Sequence, residues 1–122
     1  MRYRLALLVA LALVGGCERD DVPAHLRVAG GDPEAGRILI AAYGCNACHR
    51  IPGVRQANGR VGPPLDGFGR RAYIAGRLPN RPAMLTMWVR DPTAIDPMTA
   101  MPVVGLSEVE ARHVAAYLYT LR

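Results

Sequence analysis

The 122-residue sequence contains no lysine, one tryptophan, one phenylalanine and three cysteines. It has no apolar run long enough to cross a bilayer: residues 5–14 amount to about half of what a membrane-spanning helix needs. No stretch alternates apolar and polar residues as a half-buried strand does, so a sheet architecture is excluded and helices with irregular connections remain. No basic run is interleaved with aromatics, which speaks against nucleic acid as a partner. A structural zinc site is short of ligands: beyond Cys45, Cys48 and His49 only His25, His113 and Cys17 remain, at no finger-like spacing.

What the sequence does hold is Cys45-Asn46-Ala47-Cys48-His49. Two cysteines three positions apart, with a histidine directly after, form the attachment signal for a c-type haem. Both thiols add to the porphyrin vinyl groups and the imidazole ligates iron. A thioredoxin-like pair would need a preceding buried strand, which the sequence lacks. A plain disulfide would leave His49 without a purpose.

The N-terminus reads as a targeting segment. Arg2 and Arg4 precede the apolar run, and Val14-Gly15-Gly16-Cys17 follows it in the manner of a bacterial lipoprotein box. The expected organisation is a signal peptide over residues 1–16, a lipidated Cys17 heading a flexible tether over 17–31, and a folded domain over 32–122. The chain is then an exported, periplasmic, membrane-anchored protein; a soluble periplasmic form would leave Cys17 as a free thiol. Without Arg2 and Arg4, 13 arginines face 10 acids, a mild net charge of +3 that suits an acidic partner or an ordinary solvated surface.

Within the domain, Asp32-Pro33-Glu34 opens a helix to about residue 42, with Ala35, Ile38, Leu39 and Ala42 as its buried stripe. Gly36 costs such a helix about 1 kcal/mol against alanine, which implies that another element crosses there. Ser107 and Glu110 form a capping box for a C-terminal helix carrying Val109, Val114, Tyr117, Leu118 and Leu121, and Tyr117 is the expected neighbour of Gly36. A further helix spans about 82–90, ended by Asp91-Pro92, with Met84 and Met87 in the core. Residues 51–69 are rich in Gly and Pro and form a loop, which a bound macrocycle would support. His25 reads as a solvated tether residue and His113 as a surface or interfacial one. A sixth iron ligand, if the face is not open, comes from Met98 or Met101 in the Pro-rich stretch between the last two helices.

The ordered set Cys45-x-x-Cys48-His49, Gly62-Pro63-Pro64-Leu65, Leu78-Pro79-Asn80, Leu85-x-x-Trp88, Asp91-Pro92, Met101-Pro102 and Ala116-Tyr117-Leu118 resembles the class I cytochrome c family. It is closest to the small bacterial members and to the cytochrome c domains fused to subunit II of haem-copper oxidases. The resemblance implies an all-α cytochrome c fold of three to five helices whose long loops wrap one covalent haem c. It further implies Met101 as the axial methionine opposite His49, and Pro63 as the carbonyl that orients His49. Trp88, Arg71 with its neighbour Arg70, and Tyr73 match residues around the haem propionates. Ile40 stands where the family usually has an aromatic. The implied role is single-electron transfer between periplasmic or membrane redox proteins, with a terminal oxidase as one acceptor, by a protein that is a monomer in isolation and not itself an enzyme. The alternatives are a haem-bearing subunit of a larger membrane oxidoreductase, and a cytochrome whose displaceable methionine admits peroxide or small gases.

Overall fold

The structure, a computed structural model, describes residues 22–122; the apolar segment and Cys17 lie outside them. Helix α1 is Pro33–Ala42, and the Asp32 carboxylate caps it by accepting from the backbone N–H groups of Glu34 at 2.9 Å and Ala35 at 3.2 Å. At the other end of the chain, α4 is Glu108–Thr120. Ser107 and Glu110 exchange both hydrogen bonds of the capping box.

These two helices form the frame. At their crossing, a Cβ placed on Gly36 would lie 1.9 Å from the His113 carbonyl oxygen and 3.0 Å from the Tyr117 Cβ. The glycine therefore permits backbone-to-backbone contact, as its helix cost implied. The predicted stripe is displaced by the same contact. α1 buries Gly36 and Ile40, one turn apart, whereas Ile38 is 58% exposed and Ala42 faces solvent. A close crossing covers a narrow strip, so only positions in line with the glycine are enclosed. Val109 is likewise exposed at the outer side of α4.

Helix α2, Pro82–Arg90, packs on α4 through buried Leu85, Trp88 and Val89. Met84 joins this core partly, but Met87 is 52% exposed and is not a core residue as expected. Asp91 begins a new element as well as ending α2: its carboxylate accepts from the Ala94 N–H at 2.9 Å and caps α3, Pro92–Ile95.

Two features depart from an all-helical, tethered domain. A minimal antiparallel ladder joins β1, Tyr73–Ile74, to β2, Leu78–Pro79. Ala75 and Gly76 both have positive φ, +50° and +66°, and the Arg77 N–H donates to the Ile74 carbonyl at 2.9 Å, which makes a tight turn within the three-residue connection between Ile74 and its partner Leu78. Strands of two residues are too short to show alternation. The second departure concerns the tether predicted over 17–31, whose described part is folded onto the domain from Val22. Leu26 is buried, Val22 and Val28 pack against the core, and the Asp32 N–H donates to His113 Nδ1 at 2.9 Å. A Cβ on Gly31 would lie 2.8 Å from that of Ala116, so this segment docks through close backbone approach and not through a periodic face.

The Gly- and Pro-rich loop is held by backbone bonds within itself and to the residues around it. Ile51 donates to Ala57, Leu65 to Arg50 and Gly69 to Leu121, while Ile51, Val54, Ala57 and Phe68 are buried. Asn80 fastens the following segment: its amide donates to the carbonyls of Phe68 and Arg71, and its oxygen accepts from the buried Tyr119 hydroxyl at 3.0 Å.

Candidate functional site

Gly44, with φ +76°, ends α1 in a left-handed residue and turns the chain into a short 3-10 turn, Cys45–Ala47. The N–H groups of Cys48 and His49 both donate to the Cys45 carbonyl, at 3.2 and 3.0 Å. The compact turn sets Cys45, Cys48 and His49 into the wall of a single cavity of about 310 Å³. The two thiols are not bonded to each other. Burial raises the pKa of the Cys45 thiol, so it stays protonated at neutral pH. Among the described residues no three His, Cys, Asp or Glu side chains form a group that could hold a metal ion.

His49 is held from two sides. Its Nδ1–H donates to the Pro63 carbonyl at 2.7 Å, which leaves the Nε2 lone pair free for a metal. Gly62 lies flat against the ring: a Cβ there would be 2.3 Å from Cε1 and 2.8 Å from Nε2. The Gly62 N–H donates to the Cys48 carbonyl at 2.8 Å, and a Cβ on Gly59 would strike the Cys48 carbonyl carbon at 2.3 Å. The glycines of this loop thus let a layer of backbone clamp the motif and fix the imidazole tautomer.

The rest of the wall comes from distant elements and is mainly apolar: Ile40 from α1, Leu85 and Trp88 from α2, Leu118 from α4, with Phe68 from the intervening loop and Ile74 from β1. Met101 lines the same cavity and is partly buried, whereas Met98 is 88% exposed. Arg71 is in the wall, its guanidinium donating to the carbonyls of Pro64 and Asp66 and lying 5.5 Å over the Phe68 ring. Tyr73, expected beside the propionates, does not line the cavity. It is 60% exposed because the pleat of β1 turns it outward and its neighbour Ile74 inward. Ile74, Phe68 and Val104 line the cavity without having been singled out, since isolated apolar residues in loops or in a two-residue strand carry no periodic signal.

Such a donor set suits one kind of group: flat and apolar over most of its area, joined at two sulfurs along one edge, with a metal that an uncharged imidazole can bind. The comparisons agree. The family model described as cytochrome c matches residues 33–122. The protein named cytochrome c oxidase subunit 2 from Alkalihalophilus pseudofirmus is 34% identical over 88 residues, covering 71% of this chain. The chain spans about a quarter of that relative's length, 25%. With the match running from the first helix to the C-terminus and the attachment turn facing a cavity, the chain belongs to the cytochrome c family and is an electron-transfer protein carrying one covalent haem c with its iron.

Proposed function

We propose that the chain is a single-electron carrier between periplasmic or membrane redox proteins, with His49 and Met101 as the axial ligands. The observation that carries this reading is that Met101 shares the apolar cavity with His49 while Met98 points to solvent. When bound, the haem supplies a one-electron couple between ferric and ferrous iron. The residues tune and insulate it. The Pro63 bond orients His49 and raises its basicity, the Met101 thioether favours the reduced state, and the apolar wall disfavours the additional charge of ferric iron. Cys45 and Cys48 prevent loss of the group. Trp88 and Arg71 are the residues of the wall suited to the propionates.

Electrons enter and leave at the rim, where Val61, 76% exposed, and the small residues Ala100 and Pro102 allow close approach. Docking there is brief, as electron-transfer encounters are. Export and a diacylglycerol on Cys17 place the domain at a membrane surface. The test is spectroscopic. The ferric protein is expected to show the sulfur-to-iron charge-transfer band, Met101→Ala to abolish it, lower the potential and admit carbon monoxide, and Met98→Ala to leave all three unchanged. An intact band in Met101→Ala refutes the assignment.

A second reading, a fixed subunit of an oxidase-like complex, is favoured by the likeness to an oxidase subunit. Gentle solubilisation separates the two: a carrier migrates alone and a subunit with a large assembly.

A further inference from the structure

The stretch that presents Met101 is irregular, with Pro97 and Pro102 at its ends, and its bonds converge on one residue. Asp96 Oδ1 accepts from the Met98 N–H at 3.1 Å, and the Asp96 carbonyl accepts from the Thr99 N–H at 3.0 Å. The Thr99 hydroxyl in turn accepts from the Met101 N–H at 3.2 Å. Among the described residues, these are the hydrogen bonds of segment 97–104, and all trace back to Asp96. The second carboxylate oxygen of Asp96 is taken by Arg77, whose Nε lies 3.2 Å from Oδ2. Asp96 is largely enclosed, at 17% side-chain exposure, while Arg77 is outside at 59%. Arg77 lies in the three-residue connection of the hairpin and closes its turn, in which Ala75 takes a left-handed conformation that a non-glycine residue rarely adopts.

We propose that Arg77 and Asp96 are positioning residues that latch the methionine segment to the hairpin and so set how often the Met101 sulfur leaves the iron. The proposal rests on the reading of Met101 as the axial ligand. Neither residue lies among those lining the cavity, so their effect passes through the placement of Met101. The geometry assigns Asp96 two tasks at once. One oxygen orders the backbone leading to Met101, and the other ties that backbone to a hairpin built elsewhere in the chain. Removing Arg77 leaves the internal bonds of the segment intact but frees the segment as a unit. Removing the Asp96 carboxylate loses both.

The experiment measures carbon monoxide binding to the haem-loaded ferrous protein, which needs the methionine to depart, beside the thermal midpoint of the ferric charge-transfer band. Relative to wild type, Arg77→Gln is expected to bind carbon monoxide faster by about 1.4-fold to fivefold, the range set by a half-exposed ion pair, and to lose the band at a lower temperature. Arg77→Lys restores most of both. Asp96→Ala, which removes both side-chain oxygens, exceeds Arg77→Gln. Hydrogen exchange at the amides of Met98 and Met101 rises in the same order. Wild-type carbon monoxide rates and band midpoints in Arg77→Gln overturn the latch, whatever Asp96→Ala does. Met101→Ala, run alongside, keeps the two readings apart. If it abolishes the band while Arg77→Gln behaves as wild type, only the latch fails; if it leaves the band intact, the ligand assignment itself fails.

Discussion

Replacing Gly36 by alanine separates two forces that oppose each other at one atom. Helix propensity favours the change by about 1 kcal/mol, because glycine loses more backbone freedom than alanine on entering a helix. Packing forbids it. The new Cβ would sit 1.9 Å from the His113 carbonyl oxygen and 2.5 Å from its carbon, and a backbone carbonyl inside α4 cannot rotate away. Since a close carbon-to-oxygen contact needs about 3.3 Å, α4 must withdraw by roughly 1.4 Å at the crossing. Val114 and Leu118, which line the cavity from α4, withdraw with it. Overpacking of this kind costs about 3 kcal/mol at the upper end of its usual range. The net loss is about 2 kcal/mol, a fall in melting temperature of roughly 8–16 °C for a domain of this size. Thermal and denaturant unfolding of the haem-loaded protein measure it, with Ala41→Gly, exposed on the same helix, calibrating propensity alone at about 1 kcal/mol. A Gly36→Ala protein as stable as wild type, or more so, refutes the crossing.

The same crossing explains what could be read in advance and what could not. The helix starts were legible because their signals are local: Asp32 before Pro33, Pro82 at the head of α2, and Ser107 with Glu110 all lie within a turn of the bonds they make. The attachment motif was legible for the same reason, as five consecutive residues dictate one turn. The buried stripe of α1 was misplaced because periodicity reports which side is apolar, whereas burial is decided by how near the neighbouring backbone comes. Docking of segment 22–31 left even less trace, since it depends on Leu26 and on the bare backbone of Gly31. Tyr73 stands outside the cavity wall while Ile74 lines it, because one residue along a strand reverses the direction of a side chain. The bond from Arg77 to Asp96 joins a hairpin to a loop nineteen positions away, and nothing in either stretch announces the other.

Asn80→Ala should lower stability by about 2–4 kcal/mol, because it strands the buried Tyr119 hydroxyl and two carbonyls, while Tyr119→Phe should cost less; denaturant midpoints in the reverse order would dismiss Asn80 as the hub. Cys17→Ser should move the protein from the membrane to the soluble fraction on extraction without detergent, and unaltered retention would remove the lipid anchor. Acid should loosen the start of α4. Hydrogen bonds from the Ser107 backbone N–H, then from the hydroxyls of Ser107 and Tyr43, hold the Glu110 carboxyl below its ordinary value of 4.5. A carboxyl whose pKa is depressed by folding contributes stability above its unfolded value and loses it as the pH falls through the folded one. Unfolding measured from neutral pH down through the carboxylate range should therefore decline less steeply in Glu110→Gln than in wild type. Parallel curves would mean that the cap bonds contribute equally with Glu110 protonated, contrary to the acceptor role that both of its oxygens hold toward Ser107 and Tyr43.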